Sequence, residues 1–419
     1  MANIAFQKPK TVLILGGGPA GSSTAVFLAR AGLKVAIAHT PKRPQMIVGE
    51  SLIPATIPVI RKLGIEEEVR SYSTYKPGAT FYVRPEAPLV IDFGRTVTGK
   101  RLYAYNTPRH DFDATLLRTA EKEGVKIIPC TADVEHDAAT DRITLTAETL
   151  THVAPVLGGH PDLIVDATGR ARMLSKVTKL ESSRGLRNDC VIFAHVDNCE
   201  IEHPGHIHVN RLSRGWSWRI PLPGRVSIGV VMGADHWREF GSEPEARYDN
   251  YLQSEPTLKL IAPGSKRVTP VSVYTNYQLI TERFFGPNWV LVGDAAGFVD
   301  PIFSSGLDLS LNGSVRCSKA IVRGTTAALA EYERLQRRHI ASWQLLAESF
   351  YDGRLFGLIR VGSLMTGRGA WQHVAKTAEN QFARAIAGTM PFHTLRFRAC
   401  KQLLNSRFGE QHGKRLSIR

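Results

Sequence analysis

Residues 11–15, "TVLIL", are apolar without a break and rich in β-branched side chains, the pattern of a strand buried on both faces of a parallel sheet. Glycines follow at once, then "SSTAVFLARAG" (22–32) at helical spacing, with Gly32 as a stop. "LKVAIA" (33–38) repeats the buried-strand pattern, so the segment reads as a βαβ unit. Two later stretches have the same character. "HPDLIVDATGRAR" (160–172) is a strand ending in Asp-Ala-Thr-Gly, and "PNWVLVGDAAGFVDPIFSSGLDLSLNGSVRCSKAI" (287–321) is a strand, a glycine-rich turn and a helix. Between them, short β-type runs alternate with turns ("CVIFAHV", "HIHVN", "WSWRIPL", "RVSIGVVM"), which predicts an antiparallel sheet. From about 310 onward the pattern is helical, and repeats or low-complexity segments are absent. The expected fold is α/β: a Rossmann-like module over 1–345 carrying an inserted antiparallel sheet (about 186–285), then a C-terminal helical region over 346–419.

The glycines after the first strand spell "GGGPAG" (16–21). Gly16 permits a tight turn, Gly18 a close backbone approach to a pyrophosphate, and Gly21 close helix–strand packing, with Ala20 in the same turn. The free N–H groups of the helix then face the phosphates. A dinucleotide site is expected here, with one departure: the acidic residue that ends the second strand of such units is replaced by His39. A second pattern stands out in "GWSWRIPLP" (215–223), where period two puts Trp216 and Trp218 on one face of a strand just before Pro221. Packing and an active-site wall both account for two indoles there.

Composition narrows the class. The 419 residues include 43% hydrophobic and 22% charged side chains, ordinary for a folded protein. No apolar run approaches the roughly 20 residues of a membrane span, and "MANIAFQKPK" has no signal-peptide core. Five cysteines, at 130, 190, 199, 317 and 400, form no CxxC pair, which points away from disulfides and metal and towards a reducing cytoplasm. The net charge of +15, concentrated in the basic C-terminus, suits a solvated tail or an acidic partner. No nucleic-acid-binding signature accompanies it.

GGGPAG, DATG (166–169) and GDAAG (293–297) together resemble the single-component flavin fold of aromatic hydroxylases and flavin-dependent halogenases. The resemblance implies FAD, with Asp294 and Gly297 near its ribityl chain. Arg109, in "TPRHDFDATLLRTA" (107–120), matches the helix whose arginine approaches the cofactor; Glu50 and Ser51 fall in "VGESLIP" (48–54). Three stretches resemble halogenases in particular. "WSWRIP" matches the W-x-W-x-I-P signature, implying that Trp216, Trp218, Ile220 and Pro221 wall the flavin from the organic substrate. "FVDPIFSSG" (298–306) matches a motif filled here by Phe298, Pro301, Ser305 and Gly306, implying halide at the Ser305 and Gly306 amides. "STYKPGATFYV" (73–83) is similar to the K-x-G-A-x-F stretch of phenol- and pyrrole-type halogenases, whose lysine is catalytic, implying Lys76. Tryptophan halogenases carry a glutamate where this chain has Phe303, which argues against that substrate.

The resemblance thus implies that FADH2 from a separate flavin reductase, O2 and chloride or bromide give hypohalous acid, relayed to Lys76 for attack on an electron-rich ring. The substrate would be a phenol or pyrrole, free or presented by an acidic acyl or peptidyl carrier protein. His206 and His208 alternate on one strand and read as sheet-surface residues. An aromatic monooxygenase of the same fold is the nearest alternative. A geranylgeranyl-type reductase, a silent flavoprotein and a basic partner-binding module stand behind it.

Overall fold

The computed structural model describes residues 6–40, 46–82, 88–94, 99, 101–185, 187–276, 278–357, 380–390, 402 and 417–418. Five parallel strands form the first sheet, in the order Trp289–Leu291, Leu163–Asp166, Thr11–Leu15, Lys34–Ala38, Lys126–Ile128. Their near-complete burial explains the unbroken apolar runs. The helix Pro19–Arg30 leaves the first strand and packs against helices Arg109–Lys122 and Ser305–Arg323. The α/β architecture expected from the sequence is the one observed.

The second large sheet has eight strands. Asp189–Asp197, Arg225–Gly233, Trp216–Leu222 and Ile207–Arg211 are antiparallel neighbours, as the alternation of short runs and turns anticipates. Lys266–Arg267 and Ser272–Asn276 both pair with Asp189–Asp197, and two strands from far upstream complete the eight: Gly78–Tyr82 lies parallel to Ile207–Arg211 and pairs with Leu89–Asp92. The sheet is therefore not built from 186–285 alone, and the recruited strand follows directly on Lys76. Phe193 and Trp218 both pair with Gly229, one on each side. A methyl group at Gly229 would lie 2.0 Å from the Trp218 ring, so the bare backbone is what lets the indole lie across the sheet.

The helix Thr326–Tyr351, capped by the Thr325 hydroxyl, packs on the Ser305–Arg323 helix and ends the continuous helical part. Most of the region 346–419, including Cys400, lies outside the described residues. Among the described residues no helix is long and apolar enough to cross a membrane, and Cys130, Cys190, Cys199 and Cys317 are free thiols.

Candidate active site

A cavity of about 630 Å³ opens at the carboxyl ends of the parallel strands, where α/β sheets bind ligands. Gly16, Gly18 and Ala20 line it. Gly16 has φ +100°, and a side chain there would meet the Ala167 carbonyl at 2.6 Å. A Cβ at Gly21 would sit 1.9 Å from the Gly16 carbonyl oxygen, so Gly21 serves the contact between helix and strand and lies off the cavity. Nothing lies within 4 Å of the Cβ position of Gly18, which leaves its backbone open to a ligand. His39, at the end of the second strand, lines the cavity with its ring packed over Gly17.

Charged groups gather further in. Arg109 binds Asp113 through two nitrogens, at 3.0 and 3.2 Å, and donates to the Val48 carbonyl at 2.5 Å. Asp294 lines the cavity; burial pushes its carboxyl up to about 6, against the pull of Arg109 and Arg170. Arg170 was not singled out in the sequence. It lines the same cavity, with its guanidinium 5.3 Å from the Phe298 ring centre and 5.8 Å from that of Tyr274. Its only sequence signal was its place directly after DATG. Asp166 of that motif has a scaffold role: its buried carboxylate accepts from the Thr168 amide and hydroxyl and from the Leu174 amide. Glu50 also lines the cavity and meets buried His195 Nε2 at 2.7 Å.

Trp216, Trp218 and Ile220 form one side of the cavity, whereas Pro221 and Gly297 are not on it. A Cβ on Gly297 would approach Ile340 Cδ1 at 2.9 Å, so this glycine lets a strand sit close to the 326–351 helix. The two indoles lie 5.8 Å apart, and Trp218 Nε1 donates to Ser227 Oγ at 3.2 Å. Pro301 and Ser304, in the turn before the Ser305–Arg323 helix, and Gly306, in its first turn, also line the cavity. Ser305 itself is buried off it, its hydroxyl donating to the Asp300 carbonyl at 3.4 Å. Ser304 has φ +57°, an unusual conformation for a residue with a side chain, and it aims the chain into the helix. The first N–H groups of that helix have no partner within it. Phe303 is buried, stacked with Trp343 at 6.5 Å and edge-on to Phe350 at 5.9 Å.

Lys76 is only 2% exposed and does not line the cavity. Its amine donates to Ser51 Oγ at 2.7 Å and to the Leu52 carbonyl at 2.8 Å, and Ser51 is on the cavity wall. Ser51 donates in turn to Asn106 at 2.8 Å. Burial pushes the Lys76 amine down to about 7. His206 and His208 are buried rather than on the sheet surface. His206 shares a hydrogen bond with Thr80 (3.0 Å), and His208 sits between Glu202 and buried Arg219.

The tryptophan halogenase family model matches residues 87–354, well over half of the chain, and an FAD binding domain model matches 10–153. The tryptophan 2-halogenase of Chondromyces crocatus is 27% identical over 365 residues, covering 81% of this chain and 67% of that protein. The 1H-pyrrole-2-carbonyl-(peptidyl-carrier protein) chlorinase of Pseudomonas fluorescens is 28% identical over 376 residues, covering 81% of this chain and 83% of that one. The solved structure of the myxobacterial chondrochloren halogenase CndH superposes with a TM-score of 0.71 at 25% identity, covering 96% and 99% of the two chains. With a fold, a cavity and a sequence that agree in this way, the chain belongs to the family described by the tryptophan halogenase model and is an FAD-dependent halogenase, an oxidoreductase.

Proposed function

We propose that this enzyme halogenates an electron-rich aromatic ring, a phenol or a pyrrole, with Lys76 delivering the halogen. The observation that carries this reading is the Lys76 amine. It is buried, free of a carboxylate partner in its two hydrogen bonds, and tied to Ser51 on the cavity wall. An amine with a proton affinity near neutrality can hold an oxidant by hydrogen bonding when protonated, or attack it as a nucleophile when neutral.

The residues present fit FAD. Gly16 and Gly18 bare the backbone at the start of the 19–30 helix for a pyrophosphate, and Asp294 and Glu50 offer acceptors to hydroxyl groups. When bound in its reduced form, FAD supplies the two electrons that, with O2, a halide ion and a proton, yield hypohalous acid and water. The chain then has three tasks. The backbone at Ser304–Gly306 holds the halide at a helix N-terminus, where the peptide dipoles favour an anion. Trp216, Trp218 and Ile220 keep the organic substrate off the cofactor. Ser51 and Lys76 take the oxidant through the wall and hold it for the ring. Phe303 stands where tryptophan halogenases carry a glutamate and is packed among Trp343 and Phe350, which favours a substrate other than tryptophan. The net charge of +15 favours delivery of that substrate on an acidic carrier protein.

The test is incubation with FAD, a flavin reductase, NADH and bromide, offering phenols, pyrroles and carrier-tethered pyrroles, with mass-spectrometric detection of the bromine isotope doublet. A doublet that disappears in Lys76→Ala, with FAD still bound, is the expected result. Hydroxylated product formed with or without bromide overturns the reading.

A further inference from the structure

A run of buried hydrogen bonds joins the indole wall to the turn that precedes the 305–323 helix. Trp216 Nε1 donates to the Tyr351 hydroxyl at 2.9 Å, and that hydroxyl donates to Asp300 Oδ2 at 2.8 Å. The other carboxylate oxygen of Asp300 accepts the Ile302 amide at 3.0 Å, and its carbonyl accepts the Ser305 hydroxyl at 3.4 Å. One phenol therefore bridges a cavity-lining indole and the aspartate that shapes the 300–306 turn. Tyr351 and Asp300 do not themselves line the cavity. Two features hold the phenol in place. It is the last residue of the long Thr326–Tyr351 helix, and the Arg187 guanidinium lies 3.9 Å from its ring centre while paired with Asp189 at 2.6 Å. Burial raises the phenol well above its ordinary range, so it remains a donor to Asp300 at all working pH values.

We propose that Tyr351 is a positioning residue that couples the tryptophan wall to the halide turn, so that the anion seat and the barrier behind it keep one geometry. This rests on the halide seat proposed above. The physical reason is that both ends are unforgiving. An indole N–H and a carboxylate oxygen buried without a partner each draw their neighbours out of place. The Ser304–Gly306 backbone can meet a small anion only while the turn holds its unusual Ser304 conformation.

The test uses the full-length, FAD-loaded, oxidised protein and titrates bromide, reading the quenching of flavin fluorescence, alongside steady-state kinetics with varied bromide. Tyr351→Phe keeps the ring and its stacking on Arg187 and removes only the hydroxyl. The expected result is a bromide Kd and a bromide KM raised about fivefold or more, with FAD affinity within about twofold of wild type. Trp216→Phe, combined with Tyr351→Phe, should add little to the Kd effect of Tyr351→Phe alone, because both break the same connection. A purely structural role would lower thermal stability without this selective effect on halide. If Tyr351→Phe does not fold, Trp216→Phe alone, which removes the donor at the other end of the bridge and leaves the Asp300 contacts within the turn intact, carries the same test with the same expected direction. A bromide Kd unchanged in the folded variant overturns the coupling. A wild-type protein with no saturable bromide response at all overturns the halide seat instead, so the two failures are distinguishable.

Discussion

Replacing Lys76 by methionine is expected to abolish halogenation and, at neutral pH, to make the protein more stable. The amine is pushed from an ordinary 10.5 down to about 7 by burial. Each tenfold change in proton affinity is worth about 1.4 kcal/mol, so the full descent corresponds to about 5 kcal/mol of penalty on the folded ammonium. The sign follows from linkage. Below about pH 7 the lysine is charged in both states and the fold carries the whole penalty. As pH rises from about 7 to 10.5, the folded amine is neutral while the unfolded one stays charged, and the penalty fades. Between about pH 6.5 and about pH 9.5 wild type should gain about 3 kcal/mol relative to a variant without this amine.

Methionine keeps the length of the side chain but donates nothing, so the Leu52 carbonyl loses its 2.8 Å partner, at a pH-independent cost of about 1–3 kcal/mol. The variant should therefore be more stable than wild type by about 2 kcal/mol near pH 6.5 and equal or slightly weaker near pH 9.5. For 419 residues, at about 2 cal/mol/K each, 1 kcal/mol moves Tm by about 1 °C, so the difference in Tm should shift by about 3 °C across this range. Thermal melting of the two proteins at both pH values is the assay. A difference in Tm that stays constant with pH would refute the reasoning, since it would mean that the amine titrates normally and is solvated in the folded state.

Gly21→Val should yield protein purified without bound flavin, because the new Cβ would lie 1.9 Å from the Gly16 carbonyl oxygen; the absorbance at the flavin band reports this. Asp294→Asn should stabilise the apoprotein near pH 8 by about 3 kcal/mol, with little gain near pH 4, while weakening FAD binding. The sign follows from a carboxyl raised to about 6, whose contribution is complete below 3.8 and lost as pH rises through about 6; melting curves at both pH values decide it. Asp308→Ala should cost about 3–5 kcal/mol, read by urea unfolding, because the buried carboxylate serves His339 (2.8 Å), Trp343 (3.0 Å) and Asn312 (2.8 Å). Gly229→Ala drives a methyl into the Trp218 ring and should lower halogenation roughly tenfold with FAD retained, measured as product per FAD.

The parts of this molecule legible in the sequence are those whose constraint is local. Gly16 and Gly21 could be read because the turn between the first strand and its helix needs bare backbone within six residues, and the structure shows the carbonyls that would otherwise collide. The buried runs at 12–15 and 35–38 could be read because a strand covered on both faces leaves no polar position. Adjacent residues were harder. Ser304 and Ser305 are chemically alike, and nothing local says that the first takes the positive φ and reaches the cavity while the second turns inward to Asp300.

What could not be read was every role completed by a distant partner. Two indoles on one face of a strand are visible as period two, but Gly229, which makes room for the Trp218 ring, and Phe193, which packs against it, belong to other strands whose pairing the sequence does not state. His206 and His208 alternate in the sequence as sheet-surface residues do, and the parallel strand at 78–82 that lies beside them comes from more than a hundred residues upstream. Tyr351 is the extreme case. At the end of a long amphipathic helix it looks like one more core aromatic, and its hydroxyl meets Trp216 across 135 positions of chain and Asp300 across 51. Local sequence can mark an anion turn and an indole wall separately. That the two are one mechanical unit is a property of the tertiary fold, because the group that unites them carries no motif of its own.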